Sequence, residues 1–170
     1  MKIILIAAMA KNNAIGKNNA LLWHLPADMK FFREQTTGFA VITGRKNYES
    51  IPEKFRPLPN RTNIVVTNDK NYQAPGAIVV HSLEAALEEA SKTGKDRCFI
   101  IGGGQIYREA MEKNQADELL ITHVDANFEA DTFFPEIHPD KWDKMVISSQ
   151  DKDEKNPFST VFCRYVRKKS

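Results

Sequence analysis

Four stretches of this 170-residue sequence carry side chains whose types and spacing could do chemistry. The first is ALLWHLPADMKFFR, residues 20–33. Pro26 suits the first turn of a helix, where its missing N–H is no loss. Asp28 then falls in that first turn, where the positive end of the helix dipole favours a carboxylate. Asp28 and Phe32 are four apart and share a helix face, with Met29 and Phe31 beside them. Such an acid either decorates a helix start or stands at the mouth of an apolar pocket. In a pocket, desolvation raises its pKa and a cationic or donor-rich ligand offsets the burial.

The other three stretches suit anions. Gly102-Gly103-Gly104 follows the apolar run 97–101 and precedes a helical pattern. Backbone N–H groups at a strand–glycine-turn–helix junction can approach a pyrophosphate closely, although a tight turn alone would also explain the glycines. The triplet is not the Rossmann fingerprint, because no G-x-G-x-x-G follows the first strand. Gly44-Arg45-Lys46 places two cations at a helix start, and Thr67-Asn68 ends a strand with a hydroxyl and an amide. Three anion sites at strand ends fit an extended dinucleotide. Arg45 or Lys46 could recognise a 2′-phosphate, which favours NADP over NAD. His24, His81, His123 and His138 are scattered without metal-ligand spacing, and only His81 ends a strand. No metal site is expected, and no G-x-S-x-G or Cys–His hydrolase signature occurs.

These groups need elements to hold them. Residues 3–9 are apolar at nearly every position, as in a strand buried on both faces. Residues 11–20, KNNAIGKNNA, read as a flexible loop leading into the Asp28 helix. A strand over 39–43 ends at Gly44, and a short helix follows over 45–50. The three prolines of 51–60 forbid regular structure. Strands are predicted over 62–67 and 77–80. Ser82 then caps a helix with Leu83, Ala86, Leu87 and Ala90 on its inner face. After the strand 97–101 and the glycine turn, a helix over 105–113 turns Ile106, Tyr107, Ala110 and Met111 inward. A strand over 118–124 follows, and 143–149 with 160–167 form a closing antiparallel pair. The expected fold is therefore α/β, a three-layer sandwich. It has a mostly parallel central sheet, helices on both faces and a C-terminal antiparallel hairpin, in a single domain over 1–170.

Composition narrows the class. A charged fraction of 27% and a net charge of +2 give no field that requires nucleic acid or an anionic membrane. Cys98 and Cys163 lie in apolar strands and read as buried free thiols in a reducing compartment. The run 3–10 is short for a signal peptide, and no run approaches the roughly 18 apolar residues of a membrane span. A cytoplasmic protein is expected.

Six ordered motifs closely resemble the bacterial dihydrofolate reductase family: IAAM at 6–9, AIGKNNALLWHLPADMKFF at 14–32, ITGRKNYESI at 42–51, RPLPNRTNIVVT at 56–67, IIGGGQIY at 100–107 and ITHVDANFEADTFFP at 121–135. The resemblance implies NADPH-dependent reduction of dihydrofolate to tetrahydrofolate by a monomer, with antifolates as inhibitors. It makes Asp28 the pocket acid that hydrogen-bonds the pterin's amino group and ring nitrogen, supported by Thr122. It makes Ile6, Met29, Phe32, Ile51, Leu58 and Ile101 the apolar lining, with Tyr107 beside them. Arg61 would pair with the substrate's glutamate α-carboxylate, with Arg56 nearby. Ala8, Ile15, Gly16, Asn19, Ala20, Gly44, Arg45, Lys46, Asn47, Thr67, Asn68 and His81 would hold NADPH. So would Gly102, Gly103, Gly104, Gln105, Ile106, Tyr107 and Glu109. The loop 11–25, with Leu21 and Trp23, would close over the nicotinamide.

Several positions depart from the family pattern. Leu22 stands where proline is common, which loosens the closing loop. Ala130 replaces a glycine before Asp131 and stiffens a partner loop. Asn47 stands for Thr, and Gln105 for an Arg that assists the 2′-phosphate. The 51–56 connection is also longer than in many relatives. Two alternatives stand beside this reading: a reductase of riboflavin biosynthesis, which Arg61 and Leu25-Pro26-Ala27-Asp28 oppose, and a non-catalytic nucleotide-binding module.

Overall fold

The structure, a computed structural model, describes residues 1–17 and 22–169. The chain runs β1 (Lys2–Ala10), β2 (Ala14–Gly16), α1 (Pro26–Thr36), β3 (Ala40–Gly44), α2 (Arg45–Glu49), β4 (Thr62–Val66) and β5 (Ile78–Val80). It continues with α3 (Leu83–Ser91), β6 (Arg97–Gly102), α4 (Gly104–Glu112), β7 (Glu118–Val124), β8 (Thr132–Phe133), β9 (Trp142–Gln150) and β10 (Thr160–Arg167). Eight strands form one sheet in the order β5-β4-β3-β6-β1-β7-β10-β9. The pairs from β5 to β7 are parallel, and β10 joins β7 and β9 antiparallel. This is the mixed, mostly parallel α/β sheet expected from the alternating pattern.

Each face of the sheet has its own core. Ile4, Ile6, Val41, Phe99 and Leu120 meet Phe31, Phe32, Phe39, Leu58 and Ile101 on the α1 side. On the other side Leu5, Ile42, Ile100, Leu119 and Ile121 pack with Leu83 and Ala86 of α3 and Ile106, Tyr107 and Ala110 of α4. Successive strand residues point to opposite faces. The continuously apolar β1 therefore feeds both cores, as does β6. Ser82 caps α3 by accepting from the Ala85 N–H at 3.0 Å. Met111 is only partly buried.

The structure revises two local expectations. Residues 11–20 are not loop throughout, because β2 pairs antiparallel with β8, Gly16 opposite Thr132. A three-residue strand is too short to show alternation, and its partner is remote in sequence. The proline-rich 51–60 segment carries one 3₁₀ turn, Glu53–Phe55, and a cis Arg56–Pro57 bond. It is held from below by Asn63, buried on β4. The Asn63 amide accepts from Leu58 N–H at 2.9 Å and donates to the Leu58 carbonyl at 2.9 Å and the Arg61 carbonyl at 3.1 Å.

Cys98 and Cys163 are both free and buried, and burial pushes the Cys98 thiol up to about 12. No helix among the described residues is long and apolar enough to cross a membrane.

Candidate active site

Pro26 stands in the first turn of α1, and Asp28 follows as that turn's acid. From this helix Asp28 reaches β7. On β7, Leu120 points into the α1-side core, and Thr122, two residues on, points the same way. Thr122 is 2% exposed, and its hydroxyl hydrogen-bonds the Asp28 carboxyl. Burial pushes that carboxyl above its usual value, and the Thr122 bond offsets part of the rise. Ala8 of β1 lies beside Thr122 in register, and Ile6 beside Leu120. An acid with one hydroxyl partner in an apolar wall suits a ligand bearing adjacent donors.

Tyr107 of α4 donates to the Ile6 carbonyl at 2.6 Å, and its ring packs against Phe134 at 5.0 Å between centroids. Burial first, then the negative charge of Asp28, keeps this phenol protonated far beyond its ordinary range. Tyr107 thus acts as a fixed donor.

Most of the expected lining comes together. Ile6, Phe32, Leu58 and Ile101 share one cluster. Ile51 packs instead with Tyr48 and Val65 around α2. Met29 is 52% exposed and does not join the lining cluster. Arg61 donates through Nε to the Pro59 carbonyl at 2.9 Å and through Nη1 to Thr36 Oγ1 at 3.0 Å. Its guanidinium lies 6.0 Å from the Phe32 ring centroid. Arg56 lies over the Tyr48 ring at 5.6 Å, with its Nε buried and without a hydrogen-bond partner among the described residues.

The anion-binding candidates gather at the carboxyl ends of the strands. Gly102 ends β6 at φ +121°, in the region that favours glycine, and the Gly102–Gly103 peptide is cis. A Cβ on Gly102 would stand 3.3 Å from both Asn47 Nδ2 and Tyr107 Oη. Gly103 caps α4 without a side chain, leaving the first amides of a nine-residue helix directed beyond the sheet edge. A Cβ on Gly104 would meet Thr132 Cγ2 at 2.6 Å, with Ile15 Cδ1 at 3.8 Å, so the β2–β8 ribbon lies directly against the turn.

Asn47 braces the turn from the side. It donates to Thr43 Oγ1 at 2.9 Å and to the Ile101 carbonyl at 3.4 Å, and Thr43 Oγ1 donates to the Gly102 carbonyl at 3.0 Å. Gly44 lies beside Ile106, whose Cδ1 a Gly44 Cβ would meet at 3.3 Å. Arg45 stacks over Tyr72 at 5.8 Å, and Lys46 is exposed. Thr67 is buried at the end of β4 and bonds His81 Nδ1 through its carbonyl at 2.8 Å, joining the ends of β4 and β5. Asn68 and Gln105 are exposed nearby. Glu109 lies beyond the first turn of α4 and pairs with Lys113 at 3.2 Å, apart from the glycine turn.

Trp23 precedes α1 and packs on Phe128, 5.3 Å between centroids. Asn19, Ala20 and Leu21 lie outside the described residues. Thr43, Asn63, Phe128 and Thr132 are supporting residues that sequence reasoning missed. Only Thr43, two residues before Arg45 at a strand end, had a local signal.

A glycine cradle in which a Cβ is crowded at Gly102 and clashes at Gly104, an open helix N-terminus and a neighbouring Arg–Lys pair fit a pyrophosphate with a further phosphate. The sequence model of the dihydrofolate reductase family matches residues 2–167. This chain belongs to the dihydrofolate reductase family. It is 45% identical to the dihydrofolate reductase of Bacillus subtilis over 99% of this chain and 96% of that protein. It is 43% identical to dihydrofolate reductase type 3 of Salmonella typhimurium, over 99% and 100%. Among solved structures, a dihydrofolate reductase from Enterococcus faecalis complexed with NADP(H) and RAB-propyl superposes with a TM-score of 0.89 at 38% identity, over 99% of this chain and 97% of that one.

Proposed function

We propose that this chain reduces 7,8-dihydrofolate to tetrahydrofolate with NADPH, in the cytoplasm and as a monomer, supplying one-carbon carriers for thymidylate and purine synthesis. The observation that carries the reading is the Asp28–Thr122 pair, an acid and a hydroxyl in an apolar wall beside a phosphate-sized glycine turn. When bound, NADPH supplies a hydride to the carbon of the pterin's carbon–nitrogen double bond, and the adjacent nitrogen takes a proton.

The chain's own work is alignment and electrostatics. Asp28 accepts from the pterin's amino group and ring nitrogen, and its desolvated charge favours protonation of the ring system it holds. Thr122 fixes the carboxyl's orientation. Ile6, Phe32, Leu58 and Ile101 hold the ring flat against the sheet, with Tyr107 beside them. Arg61 uses two of its five N–H groups on Pro59 and Thr36. That leaves three for the glutamate α-carboxylate, with Arg56 beside it.

Gly102–Gly104 and α4, with Gln105 and Ile106, would hold the pyrophosphate. Arg45, Lys46, Thr67, Asn68 and His81 would hold the 2′-phosphate and adenosine, and Ala8, Ile15 and Gly16 the nicotinamide end. Trp23, packed on Phe128 just ahead of α1, would shield the site from water.

Loss of NADPH absorbance on adding dihydrofolate, and its block by a diaminopyrimidine antifolate, tests the reading. An NADH arm tests the cofactor choice. Purified, folded protein that oxidises no NADPH would overturn it.

A further inference from the structure

The helix that carries Asp28 has no cap of its own. Leu25 at the cap position offers no side-chain acceptor, and Pro26 offers no N–H. The first backbone donor of α1 is therefore the Ala27 N–H, directly before Asp28. It is met from the far end of the chain: Asn156 Oδ1, in the loop between β9 and β10, accepts from it at 3.0 Å. Asn156 is 7% exposed.

Its amide is held in one orientation by Asp153. A single carboxylate oxygen, Oδ1 of Asp153, accepts from Lys155 N at 2.9 Å, Asn156 N at 2.7 Å and Asn156 Nδ2 at 3.1 Å. With Nδ2 committed to Asp153, only Oδ1 is left to face α1. The loop is closed as well by Asp153 N donating to the Asn156 carbonyl at 2.9 Å. Lys152 N donates to Ser159 Oγ at 3.1 Å.

We infer that Asn156, presented by Asp153, is a positioning residue for the reaction: it caps α1 at Ala27 and so sets where the Asp28 carboxyl stands relative to Thr122 and the bound pterin. The geometry is specific to that purpose. A displaced cap moves the first turn of α1, whose only acid is Asp28. Thr122 from β7 and Tyr107 from α4 are the groups facing Asp28 from neighbouring elements, and neither carries charge near neutrality. The inference rests on the dihydrofolate reading of the Asp28 pocket.

The test is N156A, with D153A as a second variant that frees the Asn156 amide without touching α1. Three readouts separate positioning from simple stability. These are dihydrofolate affinity without cofactor, by tryptophan fluorescence quenching; the pH profile of kcat/KM for dihydrofolate; and KM for NADPH. Positioning predicts that both variants weaken dihydrofolate binding several-fold and move the acid limb of the profile, with KM for NADPH within twofold of the parent. The exchange D153N/N156D, which keeps an acceptor on Ala27 N–H and a donor–acceptor pair in the loop, should recover binding.

If N156A and D153A only lower Tm and leave the affinity and the profile unchanged, the inference fails. If N156A does not fold, D153A decides by the same readouts. A parent protein that turns over no dihydrofolate would instead indict the functional reading itself.

Discussion

The Tyr107 hydroxyl donates to the Ile6 carbonyl across 101 residues of sequence, tying the helix behind the glycine turn to the strand beside the proposed pterin pocket. One hydrogen bond thus links the two halves of the site, beside the apolar packing of α4 on the sheet. Tyr107→Phe removes the donor and keeps the ring on Phe134. The Ile6 carbonyl then loses a partner in a buried setting, which costs about 1–3 kcal/mol. Urea denaturation should show a lower midpoint at unchanged slope. Single-turnover hydride transfer should slow more than either substrate's affinity falls. Equal stability and equal hydride transfer in the variant would show that the bond is dispensable.

Asp28→Asn separates charge from shape. The amide keeps the packing beneath α1 but cannot hold the pterin's donors as an anion does, so turnover near neutral pH should fall on the order of 10²–10⁴-fold, the usual range for losing an acid–base group. Stability should move the other way. Burial raises the Asp28 carboxyl above its unfolded value of 3.8, so the native state binds a proton more tightly than the unfolded chain does. Ionised Asp28 therefore opposes folding at neutral pH. That opposition fades as pH falls through the raised value and is gone below the unfolded one. The Asn variant should be the more stable at pH 7, with the difference closing in acid. Parallel urea titrations at neutral and acid pH measure it, and a constant difference across that span would contradict the burial of the charge.

Much of this was legible in local chemistry. Pro26 and the first-turn acid mark α1, the unbroken apolar run 3–9 marks a strand feeding two cores, and Ser82 marks the start of α3. The strand-end position of the glycine turn follows from the same alternation. What spacing does not reveal is which distant group meets which. The Thr122 hydroxyl reaches Asp28 only because β1 and β7 pair in register, and Asn156 reaches Ala27 across 129 residues. The β2–β8 ribbon is two short segments, each too brief to announce itself. Met29 and Glu109 illustrate the converse. Each sits next to site residues in sequence, but a 100° step per residue turns Met29 outward, and a turn and more of helix carries Glu109 to Lys113.

Gly104 should tolerate no side chain. A Cβ there would stand 2.6 Å from Thr132 Cγ2, against a two-residue strand that also touches Ile15. Gly104→Ala must push β8 away from α4 or twist the glycine turn, and either opens the cradle for the pyrophosphate. KM for NADPH should rise about tenfold or more, as expected when roughly 1.4 kcal/mol of binding is lost. Dihydrofolate affinity measured without cofactor should change little. Thr132→Ser deletes the offending methyl while keeping the hydroxyl that donates to Asp131 Oδ1 at 2.9 Å. The double variant G104A/T132S should therefore regain most of the NADPH affinity. A double variant as weak as G104A alone would place the damage in the turn itself.

Arg61 is committed before any substrate arrives, and this makes its replacement by lysine a severe change. Its guanidinium spends Nε on the Pro59 carbonyl and one Nη1 hydrogen on Thr36 Oγ1, and those two bonds fix its plane. Burial first, and then the positive charge of Arg33, lower its pKa, so an incoming carboxylate relieves an existing electrostatic burden. Lysine would carry one ammonium on a flexible stem. It could satisfy Pro59, Thr36 or the substrate carboxylate, but not all three in one geometry. Arg61→Lys should raise KM for dihydrofolate by about 10–100-fold, the equivalent of losing roughly 1.5–3 kcal/mol of a charge-assisted hydrogen bond. KM for NADPH should hold. A pterin lacking the glutamate tail provides the control, because parent and variant should reduce it equally well. If the variant discriminates against that truncated substrate too, Arg61 acts by shaping the 56–61 loop instead of by binding the carboxylate.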